Sequence, residues 1–283
     1  MKKRTIVKNK VFDEERSLYN LTNGIVEDCK FSGPADGESP LKEARYIEVK
    51  NCSFDLRYGF WHVINADVKD TKFSNTARAP FWYSKNITLK NIESESVKIF
   101  RECENVDICC SSFISEEPFW KCNNLSIKNS KISGFYGFFE SNNVDINNIE
   151  FTGKYSFQYN KHLRIKDSRF DTKDAFWHCE DVIVENSVIK GEYIGWYCKN
   201  VTFINCTIES HQPFCYAENL KFIDCKMPNC DLAFENSTVE GNIIGEIDSI
   251  KNPRNCNLRV GKVKNLVKEA SVYPVKVNIE EID

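Results

Sequence analysis

The sequence lacks several features that would point to a particular partner or compartment. Lys and Arg number 38 against 41 Asp and Glu, so there is no basic excess of the kind that holds nucleic acid. No Cys-x-x-Cys spacing occurs among the 13 cysteines, and we predict no metal or cofactor. No apolar run approaches the roughly 18 residues of a membrane span, and none follows Met1 to Arg4 as a signal peptide requires. These absences predict a cytoplasmic protein with reduced thiols and no nucleic-acid or membrane partner.

What the sequence does contain is a repeat, which is the first feature to establish in a new chain. The segment Asn105 to Ile108 is matched by Asn124 to Ile127 and Asn143 to Ile146, and the leading apolar residue returns every 19 positions from Ile87 to Leu220. Each repeat has two apolar columns, a small column and a large apolar column. Two short strands with period-2 alternation, joined by a bend, produce this pattern, whereas an amphipathic helix needs a period of 3.6.

Two polar columns separate the apolar ones, and both favour sharp corners with a left-handed backbone. The first contains Asn51, Asp70, Asn91, Asn129, Asn148, Asp167, Asn186, Asn205 and Asp224, with Cys110 as its one interruption. The second contains Asn86, Asn105, Asn124, Asn143, Asp181, Asn200 and Asn219. Stacked in register, such amides can bond from coil to coil as a ladder. Leucine-rich repeats are the rival solenoid, but their motif is absent.

These columns resemble the pectin lyase-like right-handed parallel β-helix superfamily. More narrowly, the segments Gly37 to Glu43, Thr172 to Trp177, Gly191 to Tyr193 and Ser249 to Pro253 are similar to an uncharacterised family of bacterial proteins with that fold. The resemblance implies an all-β, right-handed parallel β-helix and supplies no activity. The polygalacturonase-type Asp-Asp and Gly-His-Gly motifs are missing, as is the dense acidic cluster of a pectate lyase.

The predicted organisation is a single β-helix domain over residues 1–283, with about ten coils of nominally 19 residues and three short strands in each coil. Residues 24–252 are predicted to form the coils. Residues 1–23 and 253–283 are predicted to cap the two ends, because a solenoid needs its terminal coils covered.

The third segment of each coil has two adjacent columns that bear on function. The first contains Phe60, Phe81, Phe100, Phe119, Phe138, Phe157, Phe176, Gly195 and Phe214, and the second contains Trp61, Trp82, Arg101, Trp120, Phe139, Gln158, Trp177, Trp196 and Cys215. Consecutive strand residues face opposite sides, and we place Phe inside because Arg101 and Gln158 have no evident interior partner. The other column is then an exposed platform for sugar rings. The predicted substrate-binding residues are Trp120, Trp177, Trp196, Arg101, Gln158, Tyr193 and Tyr216.

A pair of carboxyl groups near this stripe is the candidate for catalysis. Asp174 and Glu192 occupy nearly equivalent positions of adjacent coils, and a glycosidase needs two carboxyls roughly 5–9.5 Å apart. With Lys173 and His178 close by in the sequence, these four are the candidate catalytic residues. Paired, solvated charges at a turn explain the same pattern, so enzymatic activity stays an open question.

Two classes of function follow from the sequence. The first is a protein that binds or processes an oligosaccharide along the aromatic stripe, as a hydrolase or lyase if it is an enzyme. The second is a non-catalytic scaffold or interaction module, in which the stripe packs against a cap, a loop or a second copy, so that a homo-oligomer is an open alternative. Three cysteine pairs occupy matching positions of adjacent coils, and we predict free thiols at all of them: Cys103 and Cys122, Cys179 and Cys198, Cys206 and Cys225.

Overall fold

A computed structural model describes residues 4–34 and 37–282. Residues 1–3 and 283, at the extremes of the two predicted caps, lie outside the described residues. The chain divides into two compact units, residues 1–142 and 143–283, and each is described by itself. The described residues form strands and turns and contain no helix, and hence no helix that could cross a membrane.

Parallel strands stack in the first unit, each coil placing its strands beside those of the coil before. Ile47 lies opposite Ala66, Ala66 opposite Ile87, and Val106 opposite Leu125. The strands are β1 (Thr5–Lys8), β2 (Val11–Phe12), β3 (Gly24–Glu27), β4 (Lys30–Phe31), β5 (Arg45–Lys50), β6 (Ser53–Phe54), β7 (Ile64–Phe73), β8 (Phe81–Trp82), β9 (Lys85–Ser94), β10 (Phe100–Arg101), β11 (Glu104–Cys109), β12 (Ser112–Ile114) and β13 (Asn123–Phe135).

The second unit repeats this arrangement. Leu163 lies opposite Val182, and Val201 lies opposite Leu220. The strands are β14 (Asn142–Lys154), β15 (Lys161–Lys166), β16 (Arg169–Lys173), β17 (Glu180–Glu185), β18 (Val188–Glu192), β19 (Lys199–Ile204), β20 (Thr207–His211), β21 (Glu218–Cys225), β22 (Thr238–Lys251), β23 (Asn255–Val267) and β24 (Val277–Glu281).

The predicted right-handed parallel β-helix is confirmed, but the coil number is about fourteen rather than ten. Residues 24–252 already contain the first strands of twelve coils, and the segments predicted as caps contribute strands of their own. β1 pairs in parallel with β3, and β23 pairs in parallel with both β22 and β24. The last coils depart from the 19-residue period, with offsets of 17 residues between Thr238 and Asn255 and 21 between Cys256 and Val277. β1 keeps the 19-residue offset, from Thr5 to Gly24, but it is largely exposed and lacks the apolar pattern.

Both predicted polar ladders are confirmed. In the first unit Asn105 donates to the Asn86 carbonyl oxygen over 2.8 Å, and Asn91 donates to Asp70 over 2.9 Å. In the second unit Asn219 donates to Asn200 and Asn200 donates to Asp181, each over 2.9 Å. All of these residues have φ between 50° and 56°, apart from Asp181 at 58°. The left-handed corners that favour Asn are thus the places where the side chains meet.

The interior is a stack of rings and small hydroxyls. In the first unit Phe81, Phe100 and Phe119 are fully buried, with centroids 5.0 and 4.9 Å apart along the stack. The small column is polar because its hydroxyls satisfy buried backbone groups. Ser111, for example, accepts from the Ile92 N–H and donates to the Cys109 carbonyl.

The third segment differs from the predicted strand. Only β8 and β10 of these segments form regular strands, and the rest are turns. From the coil of Phe119 onwards every second residue is left-handed, as in Asp174, Phe176 and His178, with φ of 52°, 59° and 54°. Their N–H groups still bond to neighbouring coils: Asp174 donates to Glu192 and Phe176 to Ser156. Those bonds offset the roughly 1–2 kcal/mol cost of each left-handed residue.

Candidate functional site

The second column of the third segment is a stack of flat side chains. In the first unit the Arg101 guanidinium lies between two indoles, 4.7 Å from the Trp82 centroid and 5.5 Å from that of Trp120. It is also 3.5 Å from Glu117, which binds Lys98 as well. Arg101 thus occupies the place of a ring in the stack. Its charge is balanced by Glu117, so its position needs no ligand to explain it.

In the second unit the same column donates hydrogen bonds to the following coil. The Trp177 indole N–H donates to the Tyr193 carbonyl over 2.7 Å, and Trp196 donates to Gln212 over 2.9 Å. Gln158 uses its amide N–H in the same way, donating to the Asp174 carbonyl over 2.9 Å. Each acceptor is a left-handed residue, so these side chains hold the turn of the next coil.

These contacts determine how much of the predicted sugar platform is open to solvent. Phe is inside, as predicted, and Phe176 is buried. The tryptophans, however, are only partly exposed. Trp177 and Trp196 lie parallel at 7° with centroids 5.4 Å apart, so each covers a face of the other. Trp120 is similarly packed, with its centroid 4.4 Å from Phe139. Because a sugar needs a free ring face, these tryptophans offer it mainly an edge.

The exposed rings belong to the next residue along. Tyr159, His178, Tyr197 and Tyr216 form a ladder in the second unit, with centroids 4.9, 4.9 and 5.0 Å apart and interplanar angles of 4°, 4° and 10°. Tyr159 is 47% exposed and Tyr197 45%. All four residues are left-handed, with φ between 54° and 60°. We call these four residues the aromatic ladder. It presents ring edges, phenol hydroxyls and an imidazole to solvent at even intervals.

Charged side chains form a second exposed column on the same coils. Lys173 and Glu192 are direct partners in the register and form an ion pair of 2.7 Å. His211 follows Glu192 in the register and contacts both carboxylate oxygens of Asp231 at 2.9 Å. These side chains are 40–51% exposed. We call Lys173, Glu192, His211 and Asp231 the charged column.

Tyr193 connects the charged column to the tryptophan stack. Its ring lies nearly perpendicular to Trp196, at 85° with centroids 5.7 Å apart, and at 73° to His211 over 5.4 Å. The Lys173 ammonium lies 5.2 Å from the same ring centroid. Trp196 in turn meets Tyr197 of the ladder at 6.5 Å. Charges, Tyr193, indole edges and the aromatic ladder therefore form one continuous strip of surface.

The two candidate catalytic carboxyls have opposite electrostatic environments. Burial raises the pKa of Asp174, and the neighbouring Glu192 charge adds to this while Lys173 opposes it. The hydrogen bond from Lys173 lowers the pKa of Glu192. In the register, however, Glu192 is opposite Lys173, and the Asp174 N–H bonds to the Glu192 carbonyl. His178 lies within the aromatic ladder, stacked between two tyrosines rather than hydrogen-bonded to either carboxyl.

Two further features lie away from this strip. Among residues 4–34 and 37–282, no three His, Cys, Asp or Glu side chains are grouped so as to hold a metal ion. An open depression of about 470 Å³ lies over the first strands of the last coils, and it is lined by Thr202, Lys221 and Glu240 among others. All thirteen cysteines are free thiols in the structure.

Comparison with solved structures finds three distant likenesses. Two are structures of PfbA, a surface adhesin of Streptococcus pneumoniae. The first is 10% identical, covers 86% of this chain and 83% of that one, and has a TM-score of 0.44. The second is 11% identical, with coverage of 96% and 91% and a TM-score of 0.41. The third, the mannuronan C-5 epimerase AlgE4 A-module of Azotobacter vinelandii, is 8% identical with coverage of 98% and 89% and a TM-score of 0.26.

Likenesses this weak support no inference about what this chain does. No curated protein matches it. A family model matches residues 5–280, nearly the whole length, while the resemblance to the pectin lyase-like superfamily stays a prediction. By that match, the chain belongs to the family described as "Protein of unknown function (DUF3737)".

Proposed function

We propose that the second unit binds a hydroxyl-rich chain, an oligosaccharide or polysaccharide, along the strip formed by the aromatic ladder and the charged column. The observation that carries the proposal is the ladder itself. Four rings on successive coils keep polar edges in solvent at 4.9–5.0 Å intervals. Among the described residues, the Tyr197 and Tyr216 hydroxyls have no hydrogen-bond partner within the protein.

The chemistry of the strip suits a sugar chain better than a flat apolar partner. Phenol hydroxyls both donate and accept hydrogen bonds, as sugar hydroxyls do, and imidazole can do either. Tyr193 stands across the direction of the stack, so it is the ring best placed to receive a sugar face, in place of the tryptophans. Lys173, Glu192 and His211 border it with groups that can orient hydroxyls.

Hydrolysis of the bound chain is a second candidate, and one observation favours it. The pKa of Asp174 is raised while that of Glu192 is lowered, which is the division expected of a general acid and its partner carboxylate. For this role Glu192 would have to share its oxygens with Lys173. Asp174→Asn and Glu192→Gln should then abolish turnover of a bound oligosaccharide while leaving its affinity within about twofold, because an amide keeps the shape but cannot transfer the proton.

The proposal is tested with a glycan array of immobilised oligosaccharides, followed by calorimetry on the strongest binder. Tyr197→Ala and Tyr193→Ala should each weaken binding about tenfold or more, since an anchor ring is worth over about 1 kcal/mol. Tyr46→Ala is the matched control, because Tyr46 is 62% exposed but lies in the first unit. Failure of every glycan to bind, or equal losses in Tyr46→Ala, would refute the proposal.

A further inference from the structure

Two adjacent cysteines differ from all the others in the chain. Cys110 is exposed and Cys109 is partly exposed, whereas the remaining eleven cysteines are buried. Their sulfur atoms lie 2.8 Å apart. The two residues are in the first unit, at the end of β11 and the corner that follows it, and they take no part in the proposed binding strip.

The corner position shows why Cys110 cannot be explained by packing. It occupies the place of Asn in the first polar ladder, between Asn91 and Asn129, and it keeps the left-handed backbone of that position with φ of 56°. Its N–H donates to the Lys128 carbonyl over 3.1 Å, and the Asn129 side chain hydrogen-bonds to the cysteine. Elsewhere in the chain Asn at this corner forms the side-chain hydrogen bonds of the ladder. A thiol at the same corner adds chemical reactivity but no structural contact that Asn lacks.

The neighbouring coils give Cys109 the surroundings of a reactive cysteine. It lies between Lys90 and Lys128 in the parallel register, and reactive cysteines lie in electropositive, partly exposed surroundings. The hydrogen bond between the two thiols raises the pKa of Cys110. Cys109 is therefore the sulfur expected to attack first, and Cys110 the one that attacks second.

We propose that Cys109 and Cys110 form a redox site that closes to a vicinal disulfide by exchange with a small-molecule disulfide. The Cys109 thiolate attacks one sulfur of the disulfide RSSR, forming a mixed disulfide and releasing RS⁻. Cys110 then loses its proton and attacks the Cys109 sulfur, and the second RS⁻ leaves. The two thiol protons end on the two leaving thiolates, so that the dithiol and RSSR give the protein disulfide and two RSH.

The closed form is expected to be easily reduced. Consecutive Cα atoms are about 3.8 Å apart, which is shorter than the roughly 4.4–6.8 Å usual for a disulfide. A strained, exposed disulfide has a more oxidising potential and serves as a labile rather than a structural link. The pair therefore suits a reversible switch on the surface of the first unit.

The test uses the native full chain incubated with glutathione disulfide, then denatured in iodoacetamide without reductant and digested with trypsin. The peptide 102–121 contains both thiols and the buried Cys103 as an internal standard. We expect the peptide to carry one alkyl group, on Cys103, with the other two cysteines two hydrogens lighter. Brief treatment of the native protein with dithiothreitol should restore three alkylatable thiols. A peptide that stays fully alkylated, or that stops at a glutathione adduct, would overturn the proposal.

Two variants separate the roles of the thiols. Cys110→Asn restores the ladder residue and should stay folded, and it should stop at a stable glutathione adduct on Cys109. Cys109→Ser should form its adduct at least about tenfold more slowly than Cys110→Asn, because the thiol between the two lysines is then absent. Equal rates in the two variants would contradict the assignment of Cys109 as the attacking group.

Discussion

Replacement of Trp177 by Ala should destabilise the protein, although part of this ring lies at the surface. The indole N–H donates to the Tyr193 carbonyl over 2.7 Å, and the ring is stacked on Trp196 at 5.4 Å. A free surface platform would have neither contact. The free energy of unfolding therefore distinguishes a ring that stabilises the next coil from a free surface ring that contributes only to ligand binding.

The size of the effect follows from those contacts. A fully buried Trp→Ala change costs about 3–5 kcal/mol, and a partly exposed ring should lose roughly half of that. The lost hydrogen bond accounts for about 1 kcal/mol and the lost ring pair for about 0.5–1.5 kcal/mol. We therefore expect about 2 kcal/mol for Trp177→Ala.

Two matched variants divide this loss into its parts. Trp177→Phe keeps a ring but no donor and should cost about 1 kcal/mol. Trp177→Gln keeps a donor, as Gln158 does at the same place in its own coil, and should be less damaging than Ala. Urea unfolding followed by circular dichroism measures all three variants. A Trp177→Ala variant within about 0.5 kcal/mol of the wild type would show that the ring is a free platform and refute the reasoning.

Three further predictions concern the ladders, the carboxyls and the thiols. Asn200→Ala loses bonds to Asp181 and Asn219 and places Ala in a left-handed corner, so we expect a loss of about 2 kcal/mol in urea unfolding, with Asn200→Gly about half as costly. The raised pKa of Asp174 means that its ionisation opposes folding, so stability from this group is present below its unfolded-state pKa and is lost as pH rises through the folded value. Asp174→Asn should therefore be more stable than the wild type at pH 7 and equal to it at about pH 3, as urea midpoints at both pH values will show. Burial raises the pKa of Cys179 to about 12, so brief iodoacetamide labelling of the folded protein at pH 8 should modify Cys109 and Cys110 and leave Cys179 unmodified by mass spectrometry.

The part of the fold that sequence reasoning predicts is the part that repeats without variation. The columns through Val106, Leu125 and Val201 identify two strands in each coil, because burial imposes the same residue type at the same place. The polar ladders follow from left-handed corners that Asn tolerates. The terminal coils are not predicted, for two reasons. The spacing of the C-terminal coils departs from 19 residues, and β1 is largely exposed, so burial imposes no apolar pattern there.

The turn structure of the third segment is not predicted, for a different reason. A chain that alternates right- and left-handed residues gives nearly the same residue pattern as a strand, and the bonds between coils that stabilise it have no signature in composition. Gly195, with φ of 71° in the Phe column, is the one residue that signals a left-handed position. The sequence also indicates the hydrogen-bond donor role of the tryptophan column, since Trp177, Gln158 and Arg101 all have planar side chains with N–H groups. The acceptor, a backbone carbonyl of the next coil, cannot be read from residue types.

The measurement that tests the central proposal most directly is hydroxyl-radical footprinting with and without a saturating oligosaccharide from the glycan array. Side-chain oxidation is read at Tyr159, Tyr197 and Tyr193, with Tyr46, an exposed residue of the first unit, as the reference. Binding along the aromatic ladder predicts slower oxidation at the first three and no change at Tyr46. Protection elsewhere on the chain, with the ladder oxidised as fast as in the free protein, would contradict the proposal.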